Sequence, residues 1–148
     1  METLARGKGS CLCGAIDIFS SEINLNVGAC HCHTCLQWGG GPFFGMEAGR
    51  NVSVKGNTLT VYQSSDWAER GFCSQCGTHL FYRLQHDHSY ILSPGLFEQQ
   101  LNLTFDHQVF IDQKPKHYCF SNATKNYTGQ EVFDRYANDS PPSAQTPS

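Results

Sequence analysis

Short alternations of apolar and polar residues run through most of the chain. Ile16 and Ile18 flank Asp17, with Gly14 just ahead of them. Val52 and Val54 alternate around Ser53, Gly56-Asn57 interrupts the run, and Leu59 and Val61 resume it. A period of two marks a half-buried strand. A Gly-Asn pair between two such runs predicts a hairpin closed by a two-residue turn. Further strands are expected within 78–83, 89–93 and 108–111. No window of helical length carries an apolar stripe at the 3.6-residue period. The exception is 130–136, where Val132, Phe133 and Tyr136 can share one face over one or two turns. The pattern therefore predicts an all-β fold with at most one or two short helices. The last residues, 138–148, are polar and proline-rich and are expected to form a disordered tail.

A length of 148 residues suits a single domain, expected here over 1–137, large enough to bury a real core. The charge is mildly acidic, 10 Lys and Arg against 13 Asp and Glu. That balance carries no basic stripe of the kind that binds nucleic acid. No apolar run is long enough to span a bilayer, and the first residues lack the apolar stretch of a secretory signal. No membrane partner is expected, and the protein is read as cytoplasmic.

A reducing compartment changes the meaning of the eight cysteines. In a secreted chain an even count would suggest disulfides, whereas clusters at one- and two-residue gaps in the cytosol suggest a metal. Two short pairs lie far apart: Cys11-Leu12-Cys13-Gly14 and Cys73-Ser74-Gln75-Cys76-Gly77. In each, a glycine follows the second cysteine, where a zinc knuckle turns sharply and favours a residue without a Cβ. Four thiolates from two such knuckles close a tetrahedral site. The competing reading is four buried free thiols, which leaves the spacing and the glycines as coincidence. The middle cluster, Cys30-His31-Cys32-His33-Thr34-Cys35, offers three cysteines as CxCxxC. Three ligands with a fourth position open are the pattern of a catalytic zinc. Three thiolates and Zn²⁺ sum to a net charge of about −1, a weak electrophile suited to activating a bound thiol. The alternatives are a second structural site closed by a histidine, or unligated cysteines. Cys119 stands alone and reads as a buried apolar residue.

These three motifs together resemble the family of glutathione-dependent formaldehyde-activating enzymes, which also includes centromere protein V. Residues 9–16 look like the family's opening knuckle, 30–35 like its central zinc loop, and 70–78 like its closing knuckle, preceded by Tyr62-Gln63-Ser64-Ser65. The resemblance covers residues 7–120. It implies a β-tent fold, in which small antiparallel sheets meet around zinc. It implies structural zinc on Cys11, Cys13, Cys73 and Cys76, and a second, labile zinc, whose site can be empty, on Cys30, Cys32 and Cys35. The activity it implies is carbon–sulfur lyase chemistry joining glutathione and formaldehyde in S-(hydroxymethyl)glutathione. Two segments depart from the family pattern: Leu96 is followed by Phe97 and Glu98 rather than aspartate, and Lys116-His117-Tyr118-Cys119-Phe120 replaces a Pro-Trp.

His31 and His33 lie between the central cysteines and read as proton shuttles, as metal ligands or as solvent-exposed loop residues. Of Phe43 and Phe44, one is expected to face the core. Arg50, Arg70, Lys114 and Lys116 are candidate anchors for a substrate carboxylate, but each reads first as a solvated surface charge. Two function classes follow. One is a zinc enzyme acting on a small thiol, glutathione among them, and an aldehyde. The other is a protein-binding module in which both zincs are structural. The odd number of cysteines in the central motif favours the enzyme, since a structural site would recruit a fourth ligand.

Overall fold

The computed structural model describes residues 4–97 and 101–139; of the expected tail, 138–148, the first two residues end the last helix and the rest lies outside the described residues. In chain order the elements are β1 (Leu4–Ser10), β2 (Asp17–Asn24), β3 (Asn26–Cys30), α1 (His33–Gly39), β4 (Phe43–Gly49), β5 (Val52–Lys55), β6 (Leu59–Gln63), β7 (Ala68–Cys73), β8 (His79–Leu84), β9 (Tyr90–Leu92), β10 (Thr104–Val109), β11 (Lys125–Tyr127) and α2 (Gly129–Asp139). Two single turns of 3-10 helix, Pro94–Leu96 and Ile111–Gln113, complete the list. The fold is all-β with two short α-helices, as the apolar pattern requires. The described residues divide into two compact units, one within 1–25 and 45–103, the other within 26–44 and 104–148.

The first unit holds two antiparallel sheets. One is three-stranded in the order β1-β2-β5. In β2 the period of two is visible in burial: Ile18 and Ser20 are buried while Asp17 and Phe19 face out. The other sheet joins β9, β8, β7 and β6 as an antiparallel meander, with Met46 of β4 paired to Leu92 of β9. The core gathers fully buried Ile16, Ile18, Ile23, Met46, Leu80 and Leu92.

The expected hairpin across Gly56-Asn57 does not form. Both runs are strands, but β5 pairs with β2 and β6 pairs with β7. Alternation identifies a strand without naming its partner. Here Gly56 carries the chain tightly past the start of β2; a Cβ on it would lie 2.4 Å from the Ala15 carbonyl oxygen. Arg70 is a second correction. It is buried rather than solvated, donating from Nε to Ser64 Oγ at 3.0 Å, with its guanidinium 5.1 Å from the Tyr82 ring centre.

In the second unit β3, β10 and β11 pair side by side, β10 parallel to both neighbours. Helix α1 was not foreseen, because seven residues are too few to show a periodicity. It is defined by its ends. Cys32 caps the start, accepting from the Cys35 N–H on Sγ, and Gly40 closes it in the left-handed conformation, donating to the Leu36 carbonyl. Helix α2 opens with a capping box: the Thr128 hydroxyl accepts from the Glu131 N–H, and the Glu131 carboxylate accepts from the Thr128 N–H. Its Phe133 meets Phe110 edge to face at 5.7 Å.

Candidate metal centres

The first unit brings Cys11, Cys13, Cys73 and Cys76 together, all four sulfurs within 4.8 Å of one another. Zinc–sulfur bonds of ~2.3 Å set a tetrahedron with edges of about 3.8 Å. The Cys11–Cys13 and Cys13–Cys73 sulfur separations are 3.6 and 3.8 Å. Both far exceed a disulfide bond of ~2.05 Å, and all eight cysteines are free. The donor set therefore fits a four-thiolate zinc site.

Local sequence explains the convergence. Each knuckle folds back on itself: Gly14 donates to the Cys11 carbonyl at 3.1 Å, and Gly77 to the Cys73 carbonyl at 2.8 Å. Both glycines sit near φ +80, where an L side chain is strained. The two knuckles are stitched by the Leu12 N–H, which donates to Thr78 Oγ1 at 3.1 Å. That hydroxyl also reaches Cys76 Sγ at 3.1 Å, while Thr58 Oγ1 reaches Cys73 Sγ at 3.3 Å.

The electrostatics are divided. Bonds from the Thr78 hydroxyl, then from the Thr78 and Cys13 backbone, bring the Cys76 thiol down to about 5. The Thr58 hydroxyl likewise lowers Cys73. At Cys13 a bond from the Ala15 backbone pulls down, but burial and the thiols of Cys76, Cys11 and Cys73 outweigh it and push it up to about 11. Four thiols at this spacing cannot all ionise without a cation, and a divalent ion would supply the missing charge.

In the second unit the sulfurs of Cys30, Cys32 and Cys35 also lie within 4.8 Å of one another. Cys30 ends β3, Cys32 caps α1 and Cys35 lies in its first turn. Sharing with Cys32, then Cys35, and then burial raise the Cys30 thiol well above its ordinary value. This donor set too suits a soft divalent ion. Among the described residues no fourth His, Cys, Asp or Glu joins the three.

The two histidines of this loop part company. His31 is fully buried. Its Nε2 lies 2.8 Å from Gln108 Oε1 and its Nδ1 lies 2.7 Å from Tyr118 Oη. In extended chain, neighbours point to opposite faces, so the residue between Cys30 and Cys32 turns away from their sulfurs. Burial lowers the His31 pKa. His33 is exposed at the first position of α1, its backbone N–H donating to Gln113 Oε1 at 2.9 Å. Beside His31, half-buried Phe44, Phe105 and Phe120 meet edge to face at 5.1–5.6 Å.

Sequence reading missed Thr58, Thr78, Gln108 and Tyr118. Only Thr78 carried a local signal, following the knuckle glycine directly. Cys119, expected in the core, is exposed, because Tyr118 and Phe120 on either side take the inward positions.

A family model described as glutathione-dependent formaldehyde-activating enzyme matches residues 6–113. An uncharacterized lyase of Schizosaccharomyces pombe is 39% identical over 128 residues, covering 85% of this chain and 93% of that protein. A provisionally named glutathione-dependent formaldehyde-activating enzyme of Talaromyces marneffei is 33% identical over 90 residues, 57% of this chain and 48% of that longer protein. The crystal structure of a Rhodobacter sphaeroides protein superimposes with a TM-score of 0.51 at 27% identity, covering 64% of this chain and 90% of that one.

Proposed function

Because the chain belongs to the glutathione-dependent formaldehyde-activating enzyme family, we propose that it is a zinc-dependent carbon–sulfur lyase acting on the adduct of a small thiol and an aldehyde. Glutathione and formaldehyde are the pair that the names of its relatives support. The observation that carries this reading is the three-sulfur cluster of Cys30, Cys32 and Cys35, which no fourth such ligand completes among the described residues. Cys11, Cys13, Cys73 and Cys76 hold the other zinc and staple the first unit.

Zinc at Cys30, Cys32 and Cys35 would lower the pKa of a bound thiol, supplying thiolate near neutral pH. The chain's own residues do the rest. Cys30, at a strand end, and Cys32 and Cys35, at a helix start, fix the binding position on two rigid elements. Holding thiol and aldehyde side by side contributes the advantage of proximity. In the forward sense the sulfur's electron pair forms the bond to the carbonyl carbon, the carbonyl π pair moves to oxygen, and a proton joins that oxygen. Exposed His33, at the mouth of the loop, exchanges this proton with solvent. His31, with both ring nitrogens engaged, acts by positioning.

The test is exchange between free thiol, aldehyde and adduct at equilibrium, followed by NMR with the zinc-loaded protein and with a Cys32→Ala variant. Faster exchange with the intact protein alone is expected. Equal rates for both, across several thiols, would remove the lyase reading.

A further inference from the structure

A single residue separates Cys30 from Cys32, so their sulfurs share a side only while His31 between them stays extended and points the other way. The strand ladder ends just where this is needed. Cys30, opposite Val109 of β10, is the last residue of β3. Beyond it one backbone bond follows, from the His31 N–H to the Val109 carbonyl at 3.1 Å. The His31 side chain supplies the rest of the anchor. Its ring is fully buried, with Nε2 2.8 Å from Gln108 Oε1 and Nδ1 2.7 Å from Tyr118 Oη.

Gln108 is itself held in place. It is buried in β10, opposite Ala29 of β3 on one side and Asn126 of β11 on the other. Alternation puts Ala29, His31 and Gln108 on one face, and Cys30 and Val109 on the opposite one. Gln108 Nε2 donates to Thr124 Oγ1 at 2.9 Å, and that hydroxyl gives its own proton to Asn126 Oδ1 at 2.7 Å. The amide is thereby turned with its oxygen toward His31. An amide oxygen only accepts, so the imidazole Nε2 donates to it. This run of bonds ties the residue between two candidate ligands to β10 and β11. We infer that Gln108 is a positioning residue of the Cys30, Cys32 and Cys35 site, holding through His31 the chain direction that lets Cys30 and Cys32 present both sulfurs to one ion. The inference concerns how the triad holds a metal and stands apart from the reaction proposed for it.

Removing the amide oxygen leaves the buried Nε2–H donor without its partner. With no ion bound, the loop can shift until the ring finds another. With an ion bound, Cys30 and Cys32 are pinned and the ring between them cannot follow. The cost falls on the metal-bound state, roughly 5- to 100-fold in affinity. The test titrates the full chain with cobalt after mild chelation, following the sulfur-to-cobalt band. Zinc analysis checks that the Cys11, Cys13, Cys73 and Cys76 site stays filled. Gln108→Met keeps the length of the side chain, removes both polar atoms, and should bind cobalt weaker by that factor while retaining the resistant zinc. Thr124→Val, close in shape, frees the amide to turn and should weaken cobalt in the same direction, roughly 2- to 10-fold. Wild-type cobalt affinity in both variants would overturn the inference even if their melting temperatures fall, since a merely structural bond also lowers a melt. If Gln108→Met loses the resistant zinc or fails to fold, Thr124→Val decides alone, and wild-type affinity there would overturn the inference. Thiol exchange plays no part in this readout, so loss of the lyase reading leaves the inference standing, whereas a wild type that takes up no cobalt at the triad would remove both.

Discussion

Substituting Gly77→Ala isolates the conformational demand of a knuckle from its packing. Gly77 lies at φ +79, and a Cβ built there meets nothing within 4 Å. Crowding therefore contributes nothing, and the cost is that of holding an L residue in the left-handed region, about 1–2 kcal/mol. The turn is needed because Gly77 N–H closes back on the Cys73 carbonyl at 2.8 Å while the Cys73 and Cys76 sulfurs join one four-sulfur cluster. Without the ion the knuckle can relax, so the cost falls on the metal-bound state. Zinc affinity at this site should drop roughly 5- to 30-fold, read by competition with a chromophoric chelator. The melting temperature of the zinc-loaded protein should fall by about 2–8 °C. Gly39→Ala is the control: that glycine ends α1 without a positive φ and with nothing within 4 Å, so alanine there should be neutral or slightly stabilising. Unchanged zinc affinity in Gly77→Ala would refute the reasoning, as would an equal loss in both variants.

Cys35→Ala should abolish thiol exchange and lower the melting temperature far less than Cys73→Ser, since its site draws on one strand end and one helical turn; equal collapse of the two variants in thermal melts would reassign the site as structural. Gly71→Ala should destabilise by about 1–3 kcal/mol through overpacking, because its Cβ would sit 2.3 Å from the buried Phe81 ring; a wild-type melt would refute that packing. Burial, then the Arg70 charge, lowers the His79 pKa below 6.5, so the unfolded chain takes up this proton first and stability falls as pH drops through about 6.5. A His79→Gln variant should lose less stability than wild type between pH 7 and 5 in denaturant titrations; an equal loss would contradict the sign.

The two knuckles were legible because both their cysteines and their turns are written locally: a pair of cysteines, then a glycine that must adopt positive φ. The central loop was legible in its three sulfurs but not in the fate of its histidines. Whether His31 faces metal or core depends on Gln108 and Tyr118, far along the chain, and no spacing rule links them. The strands β2, β5, β6, β8 and β9 followed from alternation. The partners of β5 and β6 did not, since pairing is a tertiary choice that a Gly-Asn break only suggests. β1 was missed because its sequence, LARGKGS, is polar and glycine-rich, and it is ordered by pairing with β2. The extent of α2 was underestimated chiefly at its C-terminal end, because 137–139, Ala-Asn-Asp, add no large apolar residue to the pattern.

The claim that one cysteine quartet is structural and one triad exchangeable is tested most directly by metal content. Zinc per chain should be measured by elemental analysis before and after mild chelation, in the wild type, Cys32→Ala and Cys73→Ser. Two zincs per wild-type chain should fall to one on chelation. Cys32→Ala should start and stay at one, and soluble Cys73→Ser should lose the resistant zinc. Two zincs that both resist chelation, or a resistant zinc that survives Cys73→Ser but is lost in Cys32→Ala, would contradict the account.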